Sequence, residues 1–252
     1  MGTSRKWIIS LLGLSFVIVI ALISLNIFAR ENPSSKKSES MEEKISRLEK
    51  YTKDNEEDAE ARLRLALYYY HNNEYDKSVS ENKKALKLKP NDPLAWQRLG
   101  NTYASQGKFE DAKQAREQVV KYQKEPAGWS YLSLSTLTVL DDPAAALEQS
   151  QKALEIAKGF KGARLGLYKS WVSTLKTYVE LTDKNQVGAA YVNLVTNNLY
   201  LEKSLVLKYI DEALASGELN EEQKNRVLDV QEKVRDFEFD NVSVTEILDG
   251  EQ

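Results

Sequence analysis

Apolar residues follow two different patterns along this chain. Residues 7–29, WIISLLGLSFVIVIALISLNIFA, form an unbroken apolar run of 23 residues without a charge. From Met41 onward the apolar positions recur every three or four residues among Lys, Glu and Gln, the spacing of amphipathic helices. At about 1.5 Å of rise per residue, an apolar helix of about 20 residues crosses the hydrocarbon core of a bilayer, so residues 7–29 are long enough to span. Arg5 and Lys6 precede the run, Arg30 follows it, and Trp7 suits the interface as an aromatic anchor. A charged start and an apolar middle also suit a cleaved signal peptide. The run, however, exceeds the about 7–15 residues of a signal core, and Asn26-Ile27-Phe28-Ala29 is a poor small-x-small cleavage site. The expectation is therefore a short tail at 1–6, a transmembrane anchor at 7–29 and a flexible linker at 30–40 containing Pro33 and several serines. A six-residue tail carries no domain. This favours a cytoplasmic N-terminus with the rest of the chain outside the cytoplasm.

The second pattern repeats. At a spacing of 34 residues Leu65 matches Leu99, Ala66 matches Gly100, Tyr69 matches Tyr103, Asn73 matches Gly107, Tyr75 matches Phe109 and Ser78 matches Ala112. One step further, Ala112 matches Ala146 and Ala153 follows Val119, but Trp129 falls one position before the register set by Trp96, which suggests a one-residue insertion. Each unit reads as two helices broken at His71-Asn72-Asn73 or Gln106-Gly107. Ahead of the repeats, residues 41–58 read as a capping helix: Ser40 and Glu43 form a capping box, and Ile45, Leu48 and Tyr51 an apolar stripe. After them, helices are expected at 162–181, 187–200, 205–215 and from Asn220 to about Phe237, with Gly217 as a C-cap. The domain plan is thus an array at 59–160, further helices at 161–239 that are degenerate repeats or a capping bundle, and an acidic tail at 240–252.

Residues 93–126 carry Trp96, Leu99, Gly100, Tyr103, Gly107, Phe109 and Ala112, and residues 59–92 carry Leu65, Ala66, Tyr69, Tyr75, Ala85 and Pro90. This set resembles the tetratricopeptide repeat (TPR), with about three units and the third degenerate. The resemblance implies an all-α, helix-turn-helix superhelical solenoid with a concave binding groove and no chemistry of its own. By the family's register, Tyr70, His71, Gln97, Asn101, Ser105, Tyr131 and Ser135 are the candidate groove residues, a set of aromatic, amide and hydroxyl groups suited to an extended peptide. Some members of the family grip a C-terminal carboxylate through Lys and Asn. The corresponding positions here hold Leu63, Leu67, Gln97 and Arg98, with Asn101 alone suited to that part, so such a clamp is not expected.

Composition narrows the function. The chain has no cysteine and a single histidine, His71, which excludes disulfides and thiolate metal sites and leaves little for a zinc centre or a Ser/His triad. Phosphate-loop, dinucleotide, nucleophile-elbow and zincin motifs are absent. A net charge of −3 without a basic stripe argues against nucleic acid. Acidic pairs at Glu56-Glu57 and Asp141-Asp142 sit where helices should start and read as dipole-complementing caps. No catalytic residue, metal or cofactor is expected. The reading is a membrane-anchored scaffold that binds a protein or peptide in its groove for assembly or maturation of an envelope complex. The alternative is a self-associating structural protein that stacks on the membrane.

Overall fold

The computed structural model describes residues 39–160, 163–197 and 203–236. The expected anchor at 7–29, most of the linker and the acidic tail lie outside these residues. Among the described residues no helix is long and apolar enough to cross a membrane. The chain divides into two compact units, residues 1–43 and 44–252. In the first, the Ser40 N–H donates to Glu43 Oε2 (2.8 Å) and the Glu43 N–H to Ser40 Oγ (3.2 Å), the reciprocal capping box expected there.

The described residues form eleven helices and no strand: α1 (Met41–Asp54), α2 (Ala59–His71), α3 (Tyr75–Leu88), α4 (Pro93–Ser105), α5 (Phe109–Tyr122), α6 (Gly128–Thr138), α7 (Pro143–Lys158), α8 (Leu165–Asp183), α9 (Val187–Thr196), α10 (Lys203–Ala215) and α11 (Glu221–Asp236). Each helix from α2 to α9 packs on the next, and α2 also touches α4 directly. The result is an all-α solenoid of tetratricopeptide type. Asp58, Asp92 and Asp142 start α2, α4 and α7 by accepting backbone N–H bonds, and Pro93 and Pro143 follow two of them at a position that needs no donor. Asp142 therefore caps as expected, whereas at Glu56-Glu57 the cap is the next residue, Asp58. Ile45 and Leu48 of the expected stripe of α1 are buried, but Tyr51 is 45% exposed and Thr52 takes the third buried position; the Tyr69 phenol of α2 donates to the Glu49 carboxylate.

The hairpins share one turn. In α2–α3 the Glu74 N–H donates to Tyr69 O (2.8 Å), in α4–α5 Lys108 to Tyr103 O (2.9 Å), and in α8–α9 Gln186 to Leu181 O (2.8 Å). This is the Schellman pattern, which requires a left-handed residue, here Asn73, Gly107 and Asn185 at φ 59°, 72° and 57°. The helices α8 and α9 thus close as the first two hairpins do, although their sequence lacks the aromatic signature. Between α6 and α7 the connection is four residues, 139–142, instead of three, and none has positive φ. The insertion suggested by Trp129 sits there. Because nothing lies within 4 Å of a Cβ built at Gly107, Gly107→Ala isolates the backbone conformation. It should cost about 1–2 kcal/mol in urea unfolding, whereas Asn73→Gly should cost a few tenths at most.

Small residues set the helix spacing. Ala112, Ala146 and Ala153 are fully buried, and a Cβ at Gly128 would lie 2.8 Å from Ala153 O, so α6 starts in near-contact with α7.

Candidate functional site

In the first two pairs the first helix (α2, α4) faces inward, since α2 meets α4 directly while α3 and α5 make no comparable contact. The inner face at α2 and α4 carries the candidate residues together. Ser105 Oγ donates to the Tyr70 phenol (3.2 Å), joining the first hairpin to the second. The Tyr70 ring packs against His71 (5.5 Å between centroids) and Tyr75 (5.8 Å), which orients it from its own turn. Gln97 and Asn101 are half-exposed on α4, with half-buried Leu67 on α2 and exposed Leu94 (45%) at the start of α4. The neighbouring backbone is fixed: the Arg98 guanidinium donates to Leu63 O (2.7 Å) and Thr102 Oγ1 to Arg98 O (2.8 Å). Arg98 thus helps hold α4 to α2.

The α6 candidates are placed differently. Ser135 is fully buried and accepts from the Trp171 indole N–H of α8 (2.7 Å), while Tyr131 is half-buried under the Lys152 ammonium of α7, 4.5 Å from the ring centroid. Neither belongs to the face formed by Gln97 and Asn101. The cause is the phase of α6. Its buried positions follow those of α4 at a spacing of 33, as Gly128, Leu132, Ser135, Thr136 and Leu137 follow Ala95, Leu99, Thr102, Tyr103 and Ala104. One residue turns a helix by about 100°, so a register of 34 points to the wrong side of α6. The true counterparts of Gln97, Asn101 and Ser105 are Ser130, Leu134 and Thr138, and all three are buried.

What covers this part of the face is α10, which sequence reasoning left unplaced. Ser204 Oγ donates to Ala104 O of α4 (3.2 Å), Lys208 Nζ stands 5.2 Å from the Phe109 ring centroid of α5, and the Tyr209 phenol donates to Thr136 O of α6. Tyr209 is buried, and desolvation pushes its phenol well above the ordinary range against the opposing charge of Arg116. Burial likewise raises Tyr178 of α8 to about 12, helped by Tyr191. Its buried positions, Leu205, Val206, Tyr209, Ile210 and Ala213, span about 140° of the helix, an ordinary amphipathic face that does not mark this contact in the sequence.

The two tyrosines set a pH dependence. Their folded pKa lies above the unfolded value of about 10, so their share of stability is complete below about pH 10 and is lost as pH rises toward the folded value. Urea unfolding at about pH 11 should give a lower midpoint than at about pH 9, and Tyr209→Phe should shrink that difference.

Among the described residues no group of three His, Cys, Asp or Glu side chains could hold a metal ion. The face offers hydrogen bonds and aromatic and aliphatic area, which is the chemistry of recognition.

Known proteins share the repeats. Residues 66–107 match the family described as TPR repeat, and residues 94–126 the tetratricopeptide repeat. Residues 66–126 therefore carry tetratricopeptide repeats. It is similar to peroxisomal targeting signal receptors: 41% identical over 61 residues to that of Candida glabrata, covering 24% of this chain and 10% of that protein, and 40% identical over 58 residues to that of Saccharomyces cerevisiae, covering 23% and 10%. The match thus spans 10% of the length of these relatives. Among solved structures the chain is similar to YrrB, described as a TPR protein with an unusual peptide-binding site, at 20% identity and TM-score 0.46 over 73% of this chain and 97% of that one. It is also similar to MamA, at 20% identity and TM-score 0.40 over 72% and 96%.

Proposed function

We propose that the inner face across α2 and α4 binds a segment of a partner protein, and that residues 7–29 hold this scaffold at a membrane with the repeats outside the cytoplasm. The role that fits is assembly or maturation of an envelope complex. The observation that carries the reading is the cross-hairpin arrangement of Tyr70 and Ser105 with half-exposed Gln97 and Asn101 on α4, Leu67 on α2 and Leu94 at the start of α4. It combines fixed aromatic area with amide groups able to bond a backbone, the mixture that an extended segment requires. The test is recovery of partners from detergent-solubilised membranes with Tyr70 and Asn101 both changed to alanine. Recovery should fall by at least about tenfold, equivalent to about 1.4 kcal/mol. Unchanged recovery from a folded variant would count against the face.

A further inference from the structure

The docking of α10 shows what the rest of the inner face accepts. Ala104 lies in the last turn of α4 and Thr136 in the last turn of α6. The last four carbonyls of a helix lack a regular partner within it; Ala104 O accepts the Gly107 N–H of its own turn (2.9 Å) and keeps a second lone pair for another donor. Two side chains of α10, Ser204 and Tyr209, supply donors to these two carbonyls, and Lys208 covers the Phe109 ring between them. Leu205 and the Tyr209 ring fill the apolar space below, both buried. A single helix thus reads two consecutive hairpins by a donor at one position and a second donor five residues on. The more extensive packing of α10 is with α9 and α11 rather than with α4, and Val206, Ile210 and Ala213, buried about 80–140° around the helix from Leu205, are available for it. The helix belongs to its own terminal cluster and rests on the repeats through one stripe.

We propose that the inner face between α4 and α6 is a receptor for an amphipathic helix, occupied in this chain by α10, and that a partner helix with the same stripe engages the array by taking the place of α10. The inference rests on the inner face being the binding surface, and it adds the ligand class: a helix carrying a hydroxyl donor, a cation and a tyrosine at the positions of Ser204, Lys208 and Tyr209.

The test uses a fluorescently labelled peptide of residues 203–215 titrated into the full chain, wild type and Tyr209→Ala, followed by anisotropy. Tyr209→Ala weakens the resident helix, so the variant should bind the peptide at least about tenfold more tightly than wild type. A peptide whose own tyrosine is replaced by phenylalanine should bind more weakly to the variant. A variant that is folded by circular dichroism and binds no peptide would overturn the proposal, as would equal binding to both chains. Where Tyr209→Ala does not fold, hydrogen exchange on the wild-type chain decides. Faster exchange in α10 than in α2 to α5 supports a helix that undocks by itself, and exchange of α10 only with global unfolding overturns it. The peptide site does not include Tyr70 or Asn101. Intact peptide binding with unchanged partner recovery in their alanine variant would therefore sink the proposed partner face alone.

Discussion

Trp171→Ala will lower the stability of the folded chain by about 3–5 kcal/mol, the range for removing a buried aromatic side chain. The indole of Trp171 is 3% exposed and its N–H donates to Ser135 Oγ of α6, so it ties the third hairpin to α8 together with buried Tyr168. Truncation removes the packing and one bond, although Ser135 keeps its own donation to Leu132 O (2.7 Å). Trp171→Phe preserves most of the apolar area and should cost about 1–2 kcal/mol. Because the indole bridges α6 and α8, the loss should register first at that junction. Urea unfolding gives the total, and hydrogen exchange shows whether α8 and α9 open before α2 to α5. A Trp171→Ala chain as stable as wild type would mean that α8 does not continue the packed array.

Gly188→Ala is the second large effect. A Cβ at this position, the start of α9, would stand 2.2 Å from Glu218 O and 2.9 Å from Gln223 Oε1. The glutamine side chain can move aside, but the Glu218 carbonyl is backbone in the α10–α11 turn, so the helices themselves must separate. Overpacking of this kind costs about 1–3 kcal/mol and occasionally more. Gly166→Ala provides the control, since nothing lies within 4 Å of its Cβ and alanine favours the helix. The expected pattern is a lowered urea midpoint for Gly188→Ala and an unchanged or raised one for Gly166→Ala. Equal midpoints would show that α9 and the α10–α11 turn are not in contact.

The hairpins α2–α3 and α4–α5 were legible because their information is local. Leu65/Leu99, Tyr69/Tyr103 and Asn73/Gly107 encode two helix faces and a left-handed turn at fixed offsets, and the fold uses them at those offsets. The inner positions Tyr70, Gln97, Asn101 and Ser105 followed from the same register. At α6 that register misleads, because the connection at 139–142 restores the spacing of 34 only after α6 has passed. Ala146 therefore matches Ala112, while Tyr131 and Ser135 are turned away from the face to which their numbers assign them. The return of α10 was not legible at all. Its contacts join residues separated by 100 and 73 positions, and no periodicity along a chain reports which distant helix end a serine or tyrosine will meet. The turn at Asn185 is an intermediate case: Asn tolerates the left-handed conformation, but without Gly or the aromatic pair nothing marked it as the equal of Asn73.

The central claim is that partners bind on the inner face of the first two hairpins. Site-specific photo-crosslinking in native membranes tests it most directly, with a photoreactive residue placed at Gln97 on the inner face or at Gln114, exposed on α5. A partner captured from Gln97 and not from Gln114 is the result this account predicts; capture from Gln114 with none from Gln97 would contradict it.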